Sequence, residues 1–250
     1  MKVTVLGCAG TYAGPGEACS GYLVQSGGTT VLVDAGPGTL AALQEHVPIT
    51  ELDAIFCSHS HPDHWVEIPV LRNALRYVVH HEGVPLYSTA ETLELITSVC
   101  HERVPPTLDM HAISDGAEVK VGEGDSALLV GAARTQHPPE TLAFCLDDGR
   151  SRVAYSADTG QDWSFTSLGG PVDVGICEAT FRAGTDVAHS GRDVHMTARR
   201  AGEMSREAGV RQLVITHLLP GADREGARLE AEAAYGAPVQ VATSGLTIET

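Results

Sequence analysis

Leu52-Asp53-Ala54-Ile55-Phe56-Cys57-Ser58-His59-Ser60-His61-Pro62-Asp63-His64 is an apolar run of strand length that stops, and four potential metal ligands follow it within six residues. His59 and His61 are two apart, so both face the same way while the chain is still extended. Pro62 disfavours helix at His61 and starts a turn, which brings Asp63 and His64 round into the same space. Three imidazoles and one carboxylate suit zinc, or a neighbouring transition metal such as manganese or iron. Four ligands exceed what one ion with an open coordination position takes, so the segment points to two divalent ions. A solvated surface cluster of histidines is the alternative.

Two ions need further ligands, and the sequence offers them in matching contexts. His137 follows the apolar run 127–133, Asp158 follows 152–157 and precedes Thr159-Gly160, and His217 closes 212–216. Each is a polar residue at the carboxyl end of a strand-like run, where ligands gather when strands end at a shared crevice. Any one of them alone is an ordinary hydrogen-bonded or exposed side chain. The ordered set His, His, Asp, His, His, Asp, His carries the inference.

Around this set lies a chain of 250 residues, 43% hydrophobic and with 27 glycines. A chain of this length buries roughly 70–75% of the surface its unfolded form exposes, which excludes intrinsic disorder and removes the need for disulfide staples. Cys8, Cys19, Cys57, Cys100, Cys145 and Cys177 are scattered, most of them in apolar runs, as expected of buried reduced thiols. The opening apolar run is too short for a secretory signal, and no stretch approaches the ~18 apolar residues of a membrane span. A reducing cytoplasm is the expected compartment. Sixteen basic against 32 acidic residues give a net charge of −16, which argues against unaided binding to a long polyanion.

Apolar runs predict strands over 2–7, 21–25, 29–34, 52–58, 84–88, 117–121, 127–133, 142–146, 152–156, 172–178, 212–216 and 239–241. Periodicity predicts helices over 39–46, 67–79, 91–101, 197–208 and 223–235. With neither linker nor repeat, the expectation is one domain over 1–250 of mixed α/β (α+β) class. Two mixed sheets packed together with helices outside form a four-layer αββα sandwich.

Together with Val5-Leu6-Gly7-Cys8-Ala9-Gly10, Val33-Asp34-Ala35-Gly36-Pro37-Gly38-Thr39 and Thr216-His217-Leu218, the ligand set resembles the metallo-β-lactamase-fold hydrolases over essentially the whole chain. The resemblance implies that His59, His61 and His137 hold one metal. It puts Asp63, His64 and His217 on the second, with Asp158 bridging both. Asp34 matches the family's aspartate behind the metal loop, a support that fixes histidine orientation. A homodimer is also implied.

That fold hosts thioester, lactone, β-lactam, phosphodiester and redox chemistry, so the reaction rests on other residues. Val194-His195-Met196-Thr197-Ala198 and Cys177-Glu178-Ala179-Thr180-Phe181 are similar to the ribonuclease Z branch, where such a histidine and acidic residue flank the metals. Two cations lower the pKa of a shared water, Asp63 orients its proton, and His195, with Glu178 as partner, serves the leaving alkoxide. The enzyme expected is therefore a metal-dependent phosphodiesterase.

Ribonuclease Z carries a long arm between the third metal histidine and the bridging aspartate. Here His137 and Asp158 are only 21 positions apart, and the chain has two lysines, Lys2 and Lys120. A small phosphodiester is expected over long nucleic acid. The short cyclic-nucleotide phosphodiesterases of the fold are the nearest resemblance. An armless transfer-RNA 3′-processing nuclease and a thioester or lactone hydrolase are the alternatives. Trp65, Phe181 and Tyr12 are candidate base contacts, and Arg182 and Arg192 candidate phosphate contacts. The 182–194 stretch, with His189, reads as a loop over the site.

Overall fold

The computed structural model describes residues 1–124, 127–183 and 194–250. In chain order its strands are β1 (Lys2–Gly7), β2 (Gly21–Ser26), β3 (Thr29–Val33), β4 (Ala54–Phe56), β5 (Val84–Ser88), β6 (Leu108–Ala112), β7 (Glu118–Val121), β8 (Leu128–Arg134), β9 (Leu142–Asp147), β10 (Arg152–Tyr155), β11 (Val174–Glu178), β12 (Gln212–Thr216), β13 (Val239–Val241) and β14 (Thr247–Glu249). They form two seven-stranded sheets, ordered β14-β1-β2-β3-β4-β5-β6 and β13-β12-β11-β10-β9-β8-β7. The helices are α1 (Thr39–Gln44), α2 (Pro62–Trp65), α3 (Ile68–Ala74), α4 (Ala90–Cys100), α5 (Ala198–Glu207) and α6 (Arg224–Tyr235).

Strand alternation builds the layers. Val31 and Val33 turn inward with Phe56, Phe144, Ile176 and Val214 to fill the space between the sheets. Leu32 and Ile55, on the opposite faces of the same strands, pack on Leu43, Ile68, Leu71, Leu93 and Ile96 of the helices outside the first sheet. Leu213 and Ile215 do likewise against Ala201, Met204, Ala227 and Ala231 outside the second. The period of two in each strand therefore serves two cores at once, and the architecture is the αββα sandwich of the metallo-β-lactamase fold.

Parallel pairing places the chemistry. Strands β10, β11 and β12 run parallel in register, with Tyr155 beside Ile176 and Glu178 beside Thr216. In the other sheet β3, β4 and β5 are also parallel. Their carboxyl ends open on one rim, where the candidate ligands lie.

Three readings need correction. Strands β6 and β14 were not expected: both are edge strands, and β14 buries only Ile248 of its three residues, so neither shows an apolar run. The single helix expected over 67–79 ends at Ala74 and continues as a π-turn over Leu75–Val79. Residues 62–65, expected as a turn, make a complete short helix begun by Pro62 at its first position. All six cysteines are free, and all but Cys100 are buried. No helix among the described residues is long and apolar enough to cross a membrane.

Candidate metal centre

The seven side chains expected as ligands meet at this rim, drawn from both sheets. His59 Nε2, His61 Nδ1 and His137 Nε2 form one group, with separations of 3.0 Å from His59 to His61 and 3.1 Å from His61 to His137. Asp158 Oδ2 lies 3.7 Å from His59 Nε2 and 3.8 Å from His137 Nε2. Asp63, His64 and His217 form the second group, with Asp63 Oδ2 3.3 Å from His217 Nε2 and 3.5 Å from His64 Nε2. The other oxygen of Asp158, Oδ1, lies 3.3 Å from both His64 Nε2 and His217 Nε2. One carboxylate thus faces each group with a different oxygen.

These separations match a ligand cage. A tetrahedral ion with bonds of about 2.0–2.1 Å has edges of about 3.3–3.4 Å between ligand atoms, and the observed values bracket that length. His64 Nε2 and Asp158 Oδ1 are fully buried and have no hydrogen-bond partner. Buried polar atoms left unpaired are costly, and a cation between them removes the cost. The residues present therefore fit divalent metal ions.

The nitrogens that face away from the cage are held individually. Asp34, fully buried, accepts from His64 Nδ1 at 2.8 Å, from the Ser58 amide at 2.8 Å and from the Tyr155 hydroxyl at 2.9 Å. Ser58 Oγ donates to Asp34 at 3.0 Å and so accepts from His59 Nδ1 at 3.0 Å. His137 Nδ1 donates to the Val194 carbonyl at 2.8 Å. Each arrangement leaves a lone pair on Nε2 directed into the cage.

Backbone strain concentrates here. Asp34 and His217 both have φ of 59°, Ala157 has 49° and Thr11 has 68°. Non-glycine residues seldom adopt such values, which persist only where the surroundings enforce them. These residues lie at strand ends and in a cleft loop, beside the ligands or the groups that support them. Thr11 presents its amide to Asp63 Oδ2 at 2.8 Å. A Cβ on Gly36 would stand 1.9 Å from the Asp63 carbonyl, so the turn after Asp34 accepts only glycine.

Charge in the cage is unbalanced without a cation. Burial disfavours charge on His64, but the flanking carboxylates of Asp158 and Asp34 prevail and hold its pKa well above the ordinary value. Burial and the neighbouring His64 push His59 well below. Burial would raise Asp158, yet His217 and His64 hold it well below the usual carboxylate range. The centre demands positive charge, from protons or from metal.

Beside the cage, His195 Nδ1 sits 3.0 Å from Glu178 Oε1. One of its ring nitrogens lies within 4.8 Å of the facing atoms of Asp158 and His217. Burial works against its charge, but Glu178 lifts its pKa to about 9. Glu178 is fully buried at the end of β11 and also accepts from the amides of Thr159 at 2.6 Å and Met196 at 3.2 Å. Thr180, which sequence reasoning passed over, contacts Glu178, His195 and His217. Its place in Glu178-Ala179-Thr180, two residues beyond a chemically active strand end, was the available signal.

The candidate substrate contacts fare unevenly. Trp65 is 5% exposed, donates its indole to the Ser60 carbonyl at 2.8 Å and packs in the helix-side core, so it offers no stacking face. Arg182 is paired with Asp223 at 2.7 Å and Glu230 at 3.6 Å, directed at α6 rather than at the cage. Phe181 stands edge-on to His195 with centroids 5.8 Å apart, and Tyr12 is exposed. Arg192 and His189 lie outside the described residues.

A family model described as the β-lactamase superfamily domain matches residues 29–218. The chain is 32% identical to the probable metallo-hydrolase YhfI of Bacillus subtilis, covering the whole of both chains. The crystal structure of that protein superposes with a TM-score of 0.87 at 31% identity, over 100% of this chain and 98% of the other. A ribonuclease Z of Myxococcus xanthus is 25% identical over 100% of this chain and 97% of its own. In fold, the chain is also similar to a diphosphatase of the PhnP family, with a TM-score of 0.76 at 20% identity over 100% and 97% of the two chains.

Proposed function

This chain belongs to the β-lactamase superfamily and is a metal-dependent hydrolase, and on that premise we propose that it hydrolyses small phosphodiesters, cyclic nucleotides foremost. The observation that carries the phosphoryl reading is the buried Glu178 holding His195 at 3.0 Å beside the cage. A thioester hydrolase needs no such proton donor, because a thiolate is a far better leaving group than an alkoxide.

In this reading His59, His61 and His137 hold one divalent cation, Asp63, His64 and His217 hold the other, and Asp158 serves both. Zinc suits the donor set, with manganese and iron as alternatives. Bound there, such cations supply a nucleophile at neutral pH and neutralise charge on a phosphoryl group. Asp63, already fixed by the Thr11 amide, orients the proton of the attacking water. His195, protonated at neutral pH because Glu178 lifts it to about 9, gives its proton to the departing alkoxide. Glu178 then stabilises the pair by holding Nδ1–H through the transfer.

Two features around the cage support a small substrate. Between His137 and Asp158 the chain forms only the antiparallel β9–β10 hairpin, so no arm extends to grip a folded RNA. The net charge of −16 gives no general attraction for a polyphosphate backbone. The likeness to ribonuclease Z makes a transfer-RNA precursor the rival substrate.

The test is a panel on the protein reconstituted with zinc or manganese: bis-p-nitrophenyl phosphate, 2′,3′- and 3′,5′-cyclic AMP, a 3′-extended transfer-RNA precursor, and a thioester. Turnover of the cyclic nucleotides above the RNA precursor is expected. Preferential cleavage of the precursor, or of the thioester, overturns the reading.

A further inference from the structure

The carboxylate of Glu178 serves more than His195, and the side chain that extends its reach is Thr180. Thr180 Oγ1 lies 2.6 Å from Glu178 Oε2 and 2.9 Å from His217 Nδ1, on the side of the ring away from the cage. It also lies 3.4 Å from His195 Nδ1. Thr180 is 6% exposed, His217 2% and Glu178 fully buried, so water does not substitute freely for any of these contacts.

Proton bookkeeping fixes the direction of the bridge. Glu178 is an acceptor on every side: Thr159 N–H and His195 Nδ1 meet one oxygen, and Met196 N–H and the Thr180 hydroxyl meet the other. A hydroxyl carries one proton and two lone pairs. The Thr180 proton therefore goes to Glu178, and its oxygen is left to accept from His217 Nδ1–H. That choice commits the lone pair of His217 to Nε2, which faces Asp158 Oδ1 and Asp63 Oδ2 at 3.3 Å each.

We propose that Thr180 is a positioning residue that holds His217 as a ligand of the second metal by passing its Nδ1 proton contact on to Glu178, so that one buried carboxylate supports both that ligand and the proton donor His195. The inference rests on the ligand assignment given above, and its readout is independent of the substrate. Hydrogen-bond partners behind a metal ligand typically contribute 10–100-fold to metal affinity.

The experiment is zinc titration of the full-length protein against a chromophoric chelator, for wild type, Thr180→Val and Thr180→Ser, with thermal unfolding of each metal-free protein as a control. Thr180→Val keeps the shape and removes the hydroxyl, and its second equivalent of zinc should weaken by roughly 10–100-fold while the first is unchanged. Thr180→Ser restores the hydroxyl and should bind both equivalents as wild type does. Wild-type binding by Thr180→Val, or a Thr180→Ser protein that loses the second equivalent, overturns the proposal, and the serine arm decides even if the valine protein does not fold. A protein that hydrolyses no phosphodiester but shows this pattern leaves the bridge standing and removes only the substrate reading.

Discussion

Tyr155, at the end of β10 in one sheet, donates its hydroxyl across the interior to Asp34, at the end of β3 in the other, at 2.9 Å. Asp34 in turn holds His64. The contact couples sheet packing to ligand orientation. Tyr155→Phe should destabilise the protein by about 1.5–3 kcal/mol, the range for a hydrogen bond to a charged group. Metal affinity should also fall. Denaturant unfolding with and without chelator separates the two effects, and an unchanged midpoint in both conditions would refute the coupling.

His195→Ala should lower kcat for a phosphodiester by roughly 10²–10⁴-fold and leave the bound metal content as it is. Because Glu178 lifts His195 to about 9, the rate carried by its protonated form falls as pH rises through that value. Glu178→Gln removes the lift, so the alkaline limb of kcat should move to lower pH. A limb that stays in place in Glu178→Gln assigns the proton to another group.

Metal and protons compete at His64. Its pKa in the folded metal-free protein is raised above the ordinary value by Asp158 and Asp34, against the effect of burial. The stability it contributes is therefore complete below about pH 6.5, its unfolded value, and is lost as pH rises through the folded value. Two outcomes follow: zinc affinity weakens as pH is lowered, and the rise in Tm on adding zinc grows towards alkaline pH. Calorimetry in buffers of different ionisation enthalpy should detect a released proton, and pH-independent zinc binding would contradict the scheme.

Gly10 backs onto His217. A Cβ there would lie 2.6 Å from the His217 carbonyl and 2.9 Å from its Nδ1. Gly10→Ala should cost about 1–3 kcal/mol through overpacking and weaken the second metal equivalent. Wild-type titration curves would show that the loop yields without moving the ligand.

Trp65 provides a contrast. Buried against the helix-side core, it should not touch a nucleotide, so Trp65→Phe should leave KM for the preferred substrate unchanged while lowering Tm. A raised KM at unchanged stability would return it to the substrate surface.

The ligands were legible because each sits where an apolar run ends, and parallel strands bring those ends to one rim. His59, His61, Asp63 and His64 carried the strongest signal, since their spacing alone aims several donors into one volume. Asp34 was legible only by resemblance, because an aspartate in a glycine turn looks alike whether it supports a metal or solvates a loop. Thr180 gave only its place two residues beyond Glu178: its function depends on Glu178 and His217, which are adjacent through the β11–β12 pairing and distant in sequence. Trp65 follows the motif directly, but adjacency says nothing of direction, and packing in the helix-side core, the commoner fate of such a residue, is what the structure shows. Edge strands β6 and β14 were missed for want of buried faces.

The cage takes His59, His61, Asp63 and His64 from one half of the sandwich and His137, Asp158 and His217 from the other. Any hinge-like parting of the halves at that rim dismantles the cage, and a filled cage clamps the rim shut. Loss of the ions thus becomes a reporter of breathing along the seam. Amide exchange near Asp34 and Tyr155 should quicken once the clamp is removed, well before the opposite edge of the sandwich loosens.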